Sequence, residues 1–377
     1  MPTLKKLLYI TDQDEYVDHS FITPLFETYL KKYLTVDIVY FTEFKSDFER
    51  KDTHRFTVPA RYKNVLLDEL YCNNVQIDAY DYVMVRKDIS IMKHVLSQKD
   101  KYHYKTAFRL SFPKRIVKMT CDNVNNSLCM RVRLLAALIN KFKTKRETKI
   151  INKCDAFLPT SESMHRSFFP HVNITTILCP AGINPKMLHP NIQHTGKEKR
   201  FFYAGTLDKV REFETVLEAF SNVKNKNWHL SISTRDKSYA LEMIEKYENL
   251  TKNITVHNAQ NRKELLHLIA ETDVGVALLP DIPIYNTSTP VKILDYYSSA
   301  VPCLMTESEH VNSIFTDCIN AWYCAFDKED IQEKIEYIID LEKDKMAEVG
   351  RKGQERLLKV RNYEKIAEDL ATKLQAL

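Results

Sequence analysis

The chain has 377 residues, too many for one ordinary core and suited to two α/β domains of about 150 to 200 residues each. With 44% apolar and 28% charged residues it has the composition of a folded globular protein, which excludes a disordered chain. The net charge of +5 is unevenly divided: residues 1–190 hold 30 Lys and Arg against 20 Asp and Glu, and residues 191–377 hold 25 against 30, so the halves are expected to meet different partners.

The first half alternates strand and helix signals. Residues 7–11 form a short apolar run, 21–33 carry apolar residues at helical spacing, and 36–41 are β-branched and aromatic, which reads as a β-α-β opening. Further strands are predicted over 81–85 and 106–110, each ending at or near basic residues: Arg86, then Arg109, Lys114 and Arg115. Residues 128–149 read as a long helix. Its apolar stripe of Leu134, Leu135, Leu138, Ile139 and Phe142 is flanked by Arg131, Arg133, Lys141, Lys143, Lys145 and Arg146. A strand over 155–158 and a helix capped by Ser161 follow.

Between 171 and 190 a strand (174–178) leads into Cys179-Pro180-Ala181-Gly182-Ile183-Asn184-Pro185 and His189-Pro190, a density of proline that marks a linker. The alternation then restarts. Strands are predicted over 201–204, 229–233, 254–257, 274–279, 302–305 and 321–323, with amphipathic helices over 212–220, 239–247, 262–269 and 291–299. Strands separated by helices imply parallel sheets, hence two doubly wound domains facing each other across a cleft. The expected boundaries are 1–180 and 181–377, with the C-terminal helix returning to the first domain.

Several classes are excluded or disfavoured. All six glycines lie at or beyond Gly182, and neither G-x-G-x-x-G nor a P-loop can be written, which disfavours a dinucleotide oxidoreductase and a P-loop kinase. The eight cysteines form no C-x-x-C pair and have no histidines at zinc-ligand spacing, so they read as small residues in a reducing compartment. No apolar run approaches the ~18 residues of a spanning helix. No secretory signal pattern is visible near Met1, so a cytoplasmic protein is expected, with attachment to a membrane face left open.

The linker and second half carry motifs with a shared resemblance. Ile177-Leu178-Cys179-Pro180-Ala181-Gly182-Ile183-Asn184 is followed by His189-Pro190. Tyr203-Ala204-Gly205-Thr206-Leu207 is followed by Arg211, six residues after the glycine. The run from Thr289-Pro290-Val291-Lys292 through Asp295-Tyr296-Tyr297 ends at Ala300-Val301-Pro302. These stretches, over roughly residues 150–377, resemble the group 1, glycogen-synthase-like (family 4 type) retaining glycosyltransferases. That resemblance implies the α/β GT-B fold of two Rossmann-like domains and a nucleotide-sugar donor; with two basic side chains in the place a divalent ion would fill, no metal or other cofactor is expected. The resemblance places the donor-binding residues at Gly205, Thr206, Asn258, Gln260, Thr287, Ser288, Thr289, Pro290, Val291 and Asp295, and the catalytic cations at Arg211 and Lys292.

The chemistry supports those positions independently. A diphosphate leaving group gains charge as the glycosidic bond breaks, so the site needs cations and backbone N–H groups aimed at it. Gly205 permits close approach after a strand, and the helix opening near Pro290 offers N-terminal N–H groups. Spacing alone also allows Arg211 and Lys292 to be solvated surface charges. Asn258-Ala259-Gln260 reads as a base pocket or as an ordinary strand-to-helix turn.

Four positions depart from the family pattern. The two carboxylates of its Glu-x7-Glu pair fall on Thr287 and Asp295, the arginine after the loop glycine is Thr206, and the glycine before Val301-Pro302 is Ala300. Asp295 retains an acceptor for a ribose hydroxyl, whereas Thr287 with Ser288 and Thr289 offers only neutral hydrogen bonds.

In the first half His19, Arg86 and Arg109 are the candidates to hold the acceptor. A lone histidine such as His19 is more often structural, and the resemblance implies that no protein base is needed, since the leaving phosphate takes the acceptor proton. Residues 101–150 hold 13 basic and 2 acidic residues. The basic helix, residues 129–148, therefore suits an anionic membrane surface, or else its stripe packs into the domain.

The expected function is a metal-independent retaining hexosyltransferase. It would move a sugar from a UDP- or GDP-sugar to a glycan or lipid-linked acceptor in bacterial-type surface polysaccharide synthesis, with no nucleic acid involved. The alternative is a non-catalytic GT-B protein that binds sugar as a partner subunit.

Overall fold

The computed structural model describes residues 4–13, 19–43, 45–125, 130–189, 196–259 and 261–377. The chain divides into two compact units. The first comprises Met1–Met119, Leu128–Ala181 and Tyr363–Leu377, and the second Thr120–Ser127 and Gly182–Asn362.

The first unit is built on strands β1 (Lys6–Thr11), β2 (Thr35–Thr42), β3 (Glu49–Arg50), β4 (Arg55–Pro59), β5 (Tyr82–Arg86), β6 (Lys105–Leu110), β7 (Ala156–Pro159) and β8 (Thr175–Thr176). They lie in the order β3-β4-β2-β1-β5-β6-β7-β8, parallel except for the β3-β4 pair. Helices α1 (Leu66–Cys72), α2 (Ile89–Tyr102), α3 (Lys114–Asn125), α4 (Met130–Ile151) and α5 (Glu162–Phe168) come between, with α3 running from the first unit into the second. The central strands are continuous apolar runs, because a parallel sheet with helices on both faces has no solvent side. Leu7, Leu8, Tyr9 and Ile10 are accordingly all fully buried, each apolar side chain worth roughly 1.5–3 kcal/mol. Tyr9 stacks on Phe26 with ring centroids 3.8 Å apart.

The helix predicted over 21–33 is instead a π-helical segment, Thr23–Tyr29, followed by a 3₁₀ turn, Leu30–Lys32, which together bury Leu25, Phe26, Tyr29 and Leu30. Ser161 caps α5 as predicted, its side chain accepting from the Met164 N–H. The strand predicted over 174–178 shrinks to β8, an edge strand paired on one side only.

The second unit holds β9 (Lys199–Ala204), α6 (Phe213–Asn222), β10 (Trp228–Ser233), α7 (Lys237–Glu245), β11 (Ile254–His257), α8 (Arg262–Ala270), β12 (Val274–Ala277), α9 (Pro283–Asn286), α10 (Val291–Ser298), β13 (Cys303–Thr306), α11 (Glu309–Asn312), β14 (Trp322–Cys324), α12 (Lys328–Ile339) and α13 (Lys343–Val360). Its sheet is parallel, in the order β11-β10-β9-β12-β13-β14. The chain therefore reverses direction across the sheet between β9 and β12, and the crevice at the carboxyl ends of such a pair is where ligands bind in doubly wound sheets.

Helix α10 ends in a two-bond cap. The Val301 N–H reaches the Tyr296 carbonyl at 3.0 Å and the Ala300 N–H the Tyr297 carbonyl at 3.1 Å. Such a cap requires a left-handed residue, usually glycine, and here Ala300 takes it at φ 52°. The last helix, α14 (Tyr363–Gln375), belongs to the first unit, where the Tyr363 hydroxyl donates to the Ser20 carbonyl at 2.9 Å and Lys32 pairs with Glu364.

Candidate active site

The β9/β12 reversal is pinned from below by α10. The Tyr296 hydroxyl accepts from the Ala204 N–H and donates to the Phe202 carbonyl, both at 3.1 Å, and lies 3.3 Å from the Val276 carbonyl. Its ring fits because residue 275 is glycine: a Cβ there would lie 2.3 Å from Tyr296 Cδ2. One helix thus holds the ends of both strands, and the loop after β9 starts from a fixed point.

That loop begins with Gly205 at φ 150°, a conformation open to glycine and strained for other residues. A Cβ there would sit 3.2 Å from Lys292 Nζ and 3.4 Å from the Tyr203 hydroxyl. Lys292 lies in the first turn of α10, its Nζ 3.8 Å from the Tyr203 ring centroid. The ammonium is out of contact with solvent and has no hydrogen-bond partner. Burial first, and the Arg211 charge second, depress its pKa from 10.5 to about 7. A buried cation with no anion beside it is costly, so the position is poised for an anionic ligand to complete it.

Arg211 sits at the end of a 3₁₀ turn, Lys209–Arg211, that follows Gly205. Asp208 caps the turn by accepting from the Arg211 N–H at 3.0 Å and also pairs with the guanidinium, which lies 5.6 Å from the Tyr285 ring centroid. Lys292, Arg211, Gly205 and Tyr203 therefore form one cluster. Pro290 stands at the start of α10 with no side chain capping the helix, leaving first-turn N–H groups for a ligand. A depression at the ends of β12 and β13 adjoins it, lined by Leu279, Asp281, Tyr285, Pro290 and Thr306.

The other donor candidates are placed less openly. Thr287 is buried and its hydroxyl donates to the Pro283 carbonyl at 2.7 Å. Thr289 meets His310 Nε2 at 2.9 Å, and burial with the nearby Arg361 charge holds that histidine down to about 4, hence neutral. Asp295 is buried and accepts from Arg262 Nη2 at 2.8 Å. Its pKa is raised by burial, against the pull of Arg262. Ser288 is half-buried, while Thr206 and Val291 are exposed. Asn258 follows β11, two strands from β9, and Gln260 lies outside the described residues.

Among the residues of this site that escaped the sequence reading are Tyr296, Arg262 and His310. Tyr296 carried a signal, as the tyrosine in the run after Lys292. The other two carried none, because their partners are set only by folding.

In the first unit the same kind of reversal falls between β1 and β5, and Arg86 lies on it. Its guanidinium donates to Asp12 Oδ1 and Ser111 Oγ at 3.0 Å and to Thr11 Oγ1 at 3.3 Å. Asp12, the first carboxylate of an Asp12-Gln13-Asp14 triplet, also pairs with Lys87 at 3.1 Å, while Asp14 lies outside the described residues. His19 Nδ1 accepts from the Phe21 and Ile22 N–H groups at 3.2 and 3.4 Å, bracing the entry to the π-helical segment. Arg109, expected to meet an acceptor, is instead only 1% exposed: its guanidinium lies 3.7 Å from the Phe21 ring centroid and reaches the Cys179 carbonyl at 3.4 Å. Among the described residues no group of His, Cys, Asp and Glu is arranged to hold a metal ion.

Comparison with known proteins bears on this cluster. Residues 186–356 match the family described as glycosyl transferases group 1. No curated protein matches the sequence. Among solved structures, the sucrose-phosphate synthase of Thermosynechococcus elongatus is 14% identical, with 99% of this chain and 98% of that one covered and a TM-score of 0.68. Anabaena HepE, in complex with UDP and glucose, is 9% identical, with coverage of 99% and 100% and a TM-score of 0.67. A UDP-forming α,α-trehalose-phosphate synthase of Burkholderia xenovorans, in complex with glucose-6-phosphate, is 11% identical, with coverage of 98% and 100% and a TM-score of 0.70. At these identities the likeness is one of fold, and the fold is GT-B: two Rossmann-like α/β domains.

Proposed function

We propose, from the premise that residues 186–356 belong to the glycosyl transferases group 1 family, that this protein is a retaining, metal-independent glycosyltransferase. In this reading it takes a sugar from a nucleotide-diphosphate donor, UDP- or GDP-linked, and passes it to a saccharide or lipid-linked acceptor in surface glycan synthesis. The observation that carries the reading is Lys292 Nζ, buried and unpartnered beside Gly205 with Arg211 nearby. A diphosphate at the open end of α10 would supply the missing anion. As the bond from the anomeric carbon to the diphosphate breaks, the charge growing on the leaving oxygen meets Lys292, Arg211 and the first-turn N–H groups. The acceptor oxygen bonds the anomeric carbon on the same face, and its proton goes to the departing phosphate. The UDP bound by Anabaena HepE and the UDP-forming reaction of the trehalose-phosphate synthase favour a UDP-sugar.

A thermal-shift panel of UDP-, GDP-, ADP- and CMP-sugars in EDTA tests donor and metal together. One nucleotide sugar should raise Tm, since a ligand held only by the native state stabilises it by ~RT ln(1+[L]/Kd). Turnover of that donor in EDTA should equal turnover in Mg²⁺; activity only with the metal would overturn metal independence, and no shift with any nucleotide would overturn the donor site. A second reading, a non-catalytic sugar-binding subunit, is favoured by the engagement of Thr287 with Pro283 and of Asp295 with Arg262. It predicts the thermal shift without turnover.

A further inference from the structure

We propose that α4 is a docking surface for an anionic lipid bilayer. The inference does not rest on glycosyl transfer and would stand if the donor reading fell.

The helix is amphipathic with its apolar side outward. At about 100° per residue, Val132, Leu134, Leu135, Leu138, Ile139 and Phe142 fill one arc of about 160°. All six are between 44% and 70% exposed. The opposite side is the one that packs: Ala136, Asn140 and Thr144 are half-buried, and Arg115 reaches across to the Asn140 carbonyl at 3.5 Å, Thr144 Oγ1 at 2.7 Å and Glu147 Oε2 at 2.8 Å. Of the two readings of the stripe, packing into the domain is therefore not the one met. Small and polar residues hold the helix to its unit, and the large apolar residues face water. A contiguous patch of this kind on a folded protein marks an interaction surface.

Charge identifies the occupant. Lys141 and Lys143 flank the apolar arc on its two sides, Arg131 stands at one end of it, and Lys145, Arg146 and Lys149 stand at the other, all exposed. From Met130 to Arg146 there is no acidic residue, and Glu147 is neutralised by Arg115. An apolar face ringed by cations matches a bilayer whose acyl region accepts the side chains and whose headgroups carry negative charge. A second copy is a poor occupant, because a self-complementary contact would set these cations against each other. Among the described residues no helix is long and apolar enough to cross a membrane, so the contact is with one face.

Flotation of the full chain with phosphatidylcholine vesicles, with and without phosphatidylglycerol, tests the proposal. Recovery is expected with the anionic vesicles only, falling as salt is raised. The triple variant Leu134→Ser, Leu138→Ser, Phe142→Ser, which changes only exposed positions, should lose binding while keeping its melting curve. Lys141→Gln and Lys143→Gln should each weaken binding about fivefold. Phe142→Trp should show a fluorescence blue shift on adding anionic vesicles, readable because the two native tryptophans, Trp228 and Trp322, are buried. Equal recovery with neutral vesicles, unchanged binding of the triple variant, or no blue shift would overturn it. So would a wild-type dimer that the triple variant dissolves, which would show that the face covers a second copy.

Discussion

Lys292 allows the donor site to be tested through protons. In the free protein its pKa is depressed to about 7. A diphosphate seated against the ammonium favours the charged form and raises that pKa, so binding above neutrality must be accompanied by proton uptake. Between pH 7 and 8.5 the charged fraction of a group titrating near 7 falls from about one half to about 3%, so donor affinity should drop roughly 15-fold, or about 1.6 kcal/mol. The window stops short of where a uracil or guanine ring ionises, and a nucleotide-sugar diphosphate has no group titrating within it. Isothermal titration calorimetry of the stabilising nucleotide sugar, in two buffers of different ionisation enthalpy, reads both the affinity and the protons taken up. In Lys292→Arg the guanidinium stays charged throughout, and the slope should vanish. A flat affinity in the wild type, or the same slope in Lys292→Arg, would refute the placement of the diphosphate against Lys292.

Replacing either cation by alanine, Lys292→Ala or Arg211→Ala, should lower turnover by about 10²-fold or more, measured as release of nucleotide diphosphate. Lys292→Ala should do so without unfolding the chain. A lysine with a lowered native pKa leaves the unfolded state binding more protons between about 7 and 10.5, so its cost to stability is full below that window and disappears above it. Denaturant melts should therefore show the alanine variant gaining on the wild type at pH 7 and the two converging near pH 10. Ala300→Gly should stabilise the protein by about 0.5–1 kcal/mol in the same assay, because relief of a left-handed residue at about 1–2 kcal/mol outweighs the glycine's entropy in the unfolded chain. A loss of stability there would mean that the alanine methyl contributes packing beyond its backbone strain.

The second unit was the more legible half because its signals are local. A strand ending at a glycine, a proline opening a helix and a lysine one residue inside it are set by backbone geometry within a few residues, and so survive in a single sequence. The strand predicted over 254–257 and the helix predicted from residue 262 appear at those positions. In the first unit the π-helical Thr23–Tyr29 and the short β8 depart from prediction. Apolar spacing reports that a segment is buried on one side but not how tightly its turns are wound, nor how many residues of an edge strand find a partner.

The site shows where local signals end. That Arg211 and Lys292 are basic is written in the sequence; that one is paired and the other is not is decided by Asp208, three residues from Arg211, and by the aromatic ring of Tyr203, 89 positions before Lys292. The same holds for Asp295. Its shorter side chain reads in isolation as a weakened donor contact, yet Arg262, 33 positions earlier, meets it at 2.8 Å inside the fold. A buried carboxylate without that guanidinium would be driven toward its neutral form, whereas the pair keeps an acceptor in place at the cost of directing one oxygen to the protein. The departure from a glutamate pair therefore changes charge as well as reach: the α10 face presents one neutralised carboxylate and one free ammonium. In the proposed reading such a face would attract the diphosphate end of a donor more strongly than its sugar end, leaving selectivity for the sugar to uncharged contacts such as the half-buried Ser288 hydroxyl, two residues before Pro290.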